Sequence, residues 1–224
     1  MAELIVAFDL PSGREALALA DRLPALRWAK LGSALFVREG PALVREFTTR
    51  NIRVFLDLKW HDIPSTVARA VAAARELGIG MATVHCLGGH DMLVAAVQAA
   101  GDLPLVGVTV LTSHTSADVE QIVGRGVPDV GFESERLARI ALEAGLRGVV
   151  TGGREIGIVR TALGGDPWIV VPGIRLSGDP SDDQARTITP REAIGLGATH
   201  LVVGRPITRA ADPALVYQQI QGSL

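Results

Sequence analysis

An ammonium held beside a carboxylate can stabilise developing negative charge and hand over a proton, and this sequence sets the two together in Val54-Phe55-Leu56-Asp57-Leu58-Lys59. Along an extended strand alternate side chains share a face, so Phe55, Asp57 and Lys59 point one way and Val54, Leu56 and Leu58 the other. The apolar face is expected to meet helices, which leaves Asp57 and Lys59 turned inward. A structural ion pair is the plainer alternative, but stripping water from two charges costs several kcal/mol, and apolar replacements often do as well. Asp62 follows just ahead of a helix expected from Pro64, where it serves either as a third charge or as an N-cap. The cations of the chain single out the same stretch: 20 of the 22 are arginine, and the only lysines are Lys30 and Lys59. A guanidinium, with a pKa above about 12, cannot replace an ammonium that must give up a proton.

These side chains need strands to carry them. Eight short apolar, β-branched runs recur: Leu4–Phe8, Trp28–Leu31, Val54–Lys59, Met81–Leu87, Leu105–Leu111, Gly148–Thr151, Trp168–Ile174 and His200–Val203. Amphipathic stretches alternate with them, at 14–23, 40–47, 64–77, 90–99, 134–144, 154–162, 190–195 and 213–221. Pro64 and Pro190 suit first helical turns, and Gly78 and Gly145 suit the residue after the last. Alternation of this kind predicts parallel strands and a (β/α)8 TIM barrel in a single domain over residues 1–224. A doubly wound open sheet is the competing architecture, but no G-x-G-x-x-G turn follows the first strand, which runs into Phe8-Asp9-Leu10-Pro11-Ser12-Gly13. Polar residues fall at the same end of these runs: Asp9, Lys30, Asp57 and Lys59, His85, Thr112 with Ser113, Arg175 and Arg205. Ordinary loop-edge charges explain any one of them; their convergence on one barrel mouth is the functional expectation.

Gly204 ahead of Arg205 suits an anion, because a glycine lets a backbone N–H approach closely, a helix start adds a positive end, and the guanidinium adds a fork of donors. The segment Leu176–Ile188, rich in Ser, Gly, Asp and Pro, is long for a strand-to-helix connection and is expected to act as a lid, with a plain surface loop as the alternative. His85 reads as a hydrogen-bonded core histidine. His61, His90, His114 and His200 have no metal-ligand spacing, so no metal is expected. Cys86 reads as packing, and Trp28, Trp60 and Trp168 as core or interface rather than a stacking platform.

Composition narrows the partners. Of the 224 residues, 48% are hydrophobic and 21% charged, which suits a globular core, and a formal charge of −2 offers no field for nucleic acid or an anionic membrane. No apolar stretch approaches the roughly 18 residues of a membrane helix, and the opening residues lack the charged and apolar regions of a signal peptide. One cysteine fits a reducing compartment, so a cytoplasmic location is expected.

The run Phe55-Leu56-Asp57-Leu58-Lys59-Trp60-His61-Asp62-Ile63-Pro64-Ser65-Thr66-Val67 resembles the signature of the orotidine 5'-monophosphate decarboxylase family, which makes uridine 5'-monophosphate. The likeness continues in order through Ala7-Phe8-Asp9, Lys30-Leu31-Gly32, Leu111-Thr112-Ser113, Pro172-Gly173-Ile174-Arg175, Asp183-Gln184-Ala185-Arg186 and Val202-Val203-Gly204-Arg205-Pro206-Ile207-Thr208. The resemblance implies cofactor-free decarboxylation of orotidine 5'-monophosphate, with Lys59 as stabiliser and proton donor and Asp57, Asp62 and Lys30 as its charged partners. It further implies that Asp9 contacts the ribose, Thr112 the pyrimidine, and Arg175, Gln184, Gly204 and Arg205 the phosphate. In that family the aspartate matching Asp62 and the threonine matching Thr66 reach in from the partner subunit, which implies a homodimer. The sequence departs from the family at Cys86 and Leu87, where small residues are usual, at Thr151-Gly152-Gly153, and at Leu176, where proline often follows the arginine.

Two other readings share these residues. A metal-dependent sugar-phosphate lyase or aldolase of related architecture carries the same Asp-x-Lys-x-x-Asp pattern but generally has a metal-binding glutamate on the second strand, where this chain has Lys30. A barrel that binds nucleotide without turning it over is the second; intact Asp57, Lys59 and Asp62 speak against such decay.

Overall fold

A computed structural model describes residues 2–175 and 188–224. Eight strands, β1 (Glu3–Ala7), β2 (Trp28–Gly32), β3 (Arg53–Trp60), β4 (Met81–His85), β5 (Leu105–Val108), β6 (Gly148–Val150), β7 (Trp168–Val171) and β8 (His200–Val203), pair in sequence order. Every pairing is parallel, and β1 against β8, with Glu3 opposite His200 and Val6 opposite Val203, closes the barrel. Alternation along each strand sends one set of side chains outward, where Val54, Leu56, Ala82 and Val84 join the core beneath the helices. The other set fills the barrel: Ile5, Trp28, Phe55, Met81, Val106 and Val170 form a separate inner cluster. Trp28 and Trp168 flank His200 at the strands' N-terminal end, with ring centroids 6.0 and 4.6 Å from the imidazole. Arg53 and Arg147 stack over the two indoles.

Around the barrel run α1 (Gly13–Ala20), α2 (Ser33–Thr49), α3 (Pro64–Arg75), α4 (His90–Ala100), α5 (Ser116–Val123), α6 (Val130–Glu143), α7 (Ile156–Leu163), α8 (Pro190–Gly195), α9 (Arg205–Thr208) and α10 (Pro213–Gln221). Pro64 and Pro190 open their helices as expected, and Gly145, at φ 92°, turns the chain just past the end of α6. The helix expected from Gly40 starts instead at Ser33; Gly40, at φ 65°, is a kink ahead of Pro41 inside α2. Helix α5 was not expected, whereas α9, with Gly204 at its N-cap, is the helix start expected at Arg205. Only Val119 of α5 is buried, so its apolar periodicity is faint, although the Thr115/Asp118 capping box that starts it is present in the sequence. The fourth strand ends at His85 rather than Leu87, because Cys86–Gly88 form a 3₁₀ turn whose Leu87 N–H donates to His85 Nδ1 at 3.3 Å. The seventh ends at Val171, with only an isolated bridge from Ile174 to Ile188 beyond it.

Candidate active site

Where the strands run out, a cavity of about 900 Å³ opens at the barrel mouth. Its lining includes Asp9, Lys30, Asp57, Lys59, Thr112, Arg175, Gly204 and Arg205, so eight of the residues singled out in the sequence converge on one space. Four do not: within this chain Asp62, Thr66, His85 and Ser113 are not among the described residues that line the cavity. Asp62 is exposed and accepts the Ile63 N–H at 2.6 Å, while Ile63, not Asp62, caps α3. Gln184, and the expected lid from Leu176 as far as residue 187, lie outside the described residues; Arg175 N and Ile188 O, on either side, are joined by a hydrogen bond of 3.0 Å.

The charges form a line across the first three strands. Lys30 Nζ, from β2, donates to Asp9 Oδ1 at 3.0 Å and stands 3.6 Å from Asp57 Oδ2. Lys59 Nζ donates to the other Asp57 oxygen at 2.8 Å. Lys30 and Asp57 are deeply placed, with side chains 12% and 13% exposed, whereas Lys59 is 39% exposed and Asp9 66%. Space for this line is itself built in: a Cβ on Gly32 would lie 3.3 Å from both Asp9 Oδ1 and Lys30 Nζ. Burial alone would raise the Asp57 carboxyl; the Lys30 and Lys59 ammoniums and the hydrogen bonds from Lys59 and Thr83 outweigh it and hold the group below the usual carboxylate range.

The inward turn of Lys59 is not the simple alternation expected of an extended strand. Leu56 pairs with Ala82 and Trp60 with Val84, so three residues of β3 stand opposite the single Thr83 of β4. The surplus is taken up with Lys59 in the left-handed region at φ 51°, a conformation that costs a non-glycine residue about 1–2 kcal/mol. Lys59 N–H donates to Thr83 Oγ1 at 2.8 Å, and Thr83 Oγ1 donates to Asp57 Oδ1 at 3.1 Å. Thr83 was not singled out in the sequence, where it reads as one more β-branched strand residue. Only the register shift exposes its place.

His85 is half-buried at the end of β4, not among the described residues lining the cavity, and stacks on His61 with centroids 5.5 Å apart. Burial, reinforced by His61, the Lys59 cation and His114, pushes it down to about 4, so the ring is uncharged at neutral pH. Cys86 is buried, and burial pushes its thiol up to about 12, in keeping with a packing role. Its added bulk relative to a smaller residue is accommodated by Gly107 on β5, where a Cβ would fall 2.5 Å from the Cys86 sulfur. Among the described residues no group of three or more His, Cys, Asp or Glu is placed to hold a metal ion, and no helix is long and apolar enough to cross a membrane.

A family model described as orotidine 5'-phosphate decarboxylase / HUMPS family matches residues 2–220. An orotidine 5'-phosphate decarboxylase from Alkalilimnicola ehrlichii is 48% identical over 226 residues, covering 99% of this chain and 95% of its own. Another, from Nitrosococcus oceani, is 44% identical over 226 residues, covering 99% and 97%. The crystal structure of orotidine 5'-phosphate decarboxylase from Lactobacillus acidophilus superposes with a TM-score of 0.88 at 32% identity, over 100% of this chain and 99% of that one. The sequence match runs nearly end to end and the barrels superpose over their whole length, so the chain belongs to the orotidine 5'-phosphate decarboxylase / HUMPS family of enzymes.

Proposed function

We propose that this chain, as one barrel domain over residues 1–224, converts orotidine 5'-monophosphate to uridine 5'-monophosphate without metal or cofactor, as a carboxy-lyase of pyrimidine biosynthesis in the cytoplasm. The observation that carries this reading is the Lys30–Asp57–Lys59 line on one wall of a cavity whose far side holds Arg175 and Arg205. β3 and β7 lie four strands apart in a closed barrel of eight, so Lys59 and Arg175 face each other across the mouth. That spacing suits a nucleotide whose base meets the lysine and whose phosphate meets the arginines, with Gly204 and Gln184 as the remaining phosphate contacts. Packing does not demand the glycine at 204, since a Cβ there would make only an ordinary 3.5 Å contact with Ala7; an approaching ligand would. Asp9 then meets the ribose and Thr112 the pyrimidine.

Breaking the bond from C6 to the carboxylate releases carbon dioxide and leaves the electron pair on C6, where the ring cannot spread it. The Lys59 ammonium stabilises that pair and then gives it a proton, forming the product and a neutral amine that regains a proton from water. Asp57, held ionised by its neighbours, keeps the Lys59 ammonium aimed, and Lys30 fixes Asp57 from behind. Binding energy from the remote phosphate organises the site around the reacting carbon.

Asp62 and Thr66 act across a homodimer. This is supported by their position off the cavity of their own chain and by the neighbouring Ile63, a large apolar side chain left 63% exposed. The sugar-phosphate lyase reading is disfavoured by Lys30, whose buried ammonium occupies the strand-two position between two carboxylates and would repel a cation. The deciding experiment follows the ultraviolet absorbance of orotidine 5'-monophosphate with purified protein and excess chelator. Conversion is expected; nucleotide binding without conversion would leave the barrel and its anion site and remove the decarboxylase.

A further inference from the structure

We infer that Thr83 is the positioning residue that sets the Lys59 ammonium against Asp57. The inference rests on the reading of Lys59 as the group that does the chemistry. Thr83 stands alone on β4 opposite Asp57, Leu58 and Lys59 of β3, and its side chain is fully buried. At that bulge the Lys59 N–H has left the strand ladder, and the Thr83 hydroxyl oxygen accepts it at 2.8 Å. The same hydroxyl donates its hydrogen to Asp57 Oδ1 at 3.1 Å, the oxygen that also accepts from Lys59 Nζ at 2.8 Å. One hydroxyl therefore closes a ring: main chain of Lys59, Thr83, carboxylate of Asp57, side chain of Lys59. A left-handed residue such as Lys59, at φ 51°, keeps that conformation only where its surroundings hold it there, and this ring is what holds it.

The chemistry of the ring requires a group that accepts and donates at once. A hydroxyl does both, and an isosteric valine does neither. Thr83 is not among the described residues lining the cavity, so it acts through Lys59 and Asp57 rather than on a ligand. Loss of the hydroxyl would leave the Lys59 amide without its acceptor and free the ammonium to drift from its aim, which is a loss of turnover rather than of affinity.

The test compares Thr83→Val, Thr83→Ser and Thr83→Cys with the parent, using orotidine 5'-monophosphate as substrate. Thr83→Val is expected to lower kcat by about 10- to 100-fold, the scale of a displaced catalytic group, with KM moving less than about threefold. Thr83→Ser, which keeps the hydroxyl, is expected to recover kcat to within about threefold of the parent. A valine variant with kcat near the parent's, or one losing kcat and KM in step, overturns the inference. Should the valine variant fail to fold, the cysteine variant decides: its weak thiol donor is expected to give the same loss in kcat, and activity equal to the serine variant's overturns the inference. Amide hydrogen exchange at Lys59 separates this inference from the functional reading. If the parent itself shows no turnover, that reading falls, and the ring is still judged by exchange: faster in Thr83→Val and protected in Thr83→Ser supports it, and an unchanged rate overturns it.

Discussion

At the scale of single residues, the proposed reaction rests on Lys59 as the proton donor, its ammonium held on Asp57 at 2.8 Å. Lys59→Ala is expected to lower kcat by about 10⁴-fold or more, since it removes both an electrostatic stabiliser and a general acid. Lys59→Arg is expected to restore little, because the guanidinium keeps charge but does not release a proton. Steady-state kinetics on the two variants checks both outcomes, and near-parental turnover in either would remove Lys59 from its assigned role. The lysines were legible in the sequence because all the other Lys and Arg positions are arginine, and both lie in the strands expected of them. Thr83 was not legible. A threonine in Met81-Ala82-Thr83-Val84-His85 has the pattern of any inward strand residue, and its significance arises from a register shift that the apolar periodicity does not encode.

At the scale of elements, the barrel is built where β-strand and helix periods alternate, and those periods were readable for all eight strands. The failures fall where a local signal competed with the period. Gly40-Pro41 resembles a helix start but is a kink within α2, and α5 buries too little to show an apolar stripe. The turn after β4 illustrates how one element makes room for another. Gly107 on β5 leaves space for the Cys86 sulfur and for Ala141 and Leu146 beside it. Gly107→Ala is expected to destabilise the protein by about 1–3 kcal/mol through overpacking. Cys86→Ala introduced alongside it should return part of that loss, giving a favourable coupling in a double-mutant cycle read by chemical denaturation. Strict additivity of the two changes would show that the sulfur and residue 107 do not compete for the same space.

At the scale of the molecule, the two ends of the barrel carry different burdens. The floor is a packed cluster in which His200 is buried between Trp28 and Trp168. Burial, with the Arg147 and Arg53 cations nearby, pushes its imidazole down to about 4, well below the unfolded value of about 6.5. Above pH 6.5 neither state holds this proton and the contribution to stability is intact. As the pH falls from 6.5 toward 4, the unfolded chain takes up a proton that the folded chain refuses, and stability falls by on the order of 3 kcal/mol. Unfolding free energies measured by urea at pH 7 and pH 4.5 should differ less in His200→Gln than in the parent, and equal differences would show that His200 is not responsible. The dimer is tested at this scale too. Lys59→Ala and Asp62→Ala chains mixed in equal amounts should regain about a quarter of parental activity if sites are shared, because about half of the randomly formed dimers are mixed and each of those restores one site of two. No recovery on mixing would mean that each chain works alone. The distribution of lysines also has an analytical consequence. Every side-chain amine of the chain lies in the cavity, so apart from the α-amino group an amine-selective acylating reagent has only Lys30 and Lys59 to modify. Ordinary surface-labelling chemistry thus becomes an active-site probe in this protein: the extent of modification counted by mass spectrometry reports directly on whether the mouth is occupied, and a nucleotide that fills it should protect both lysines at once.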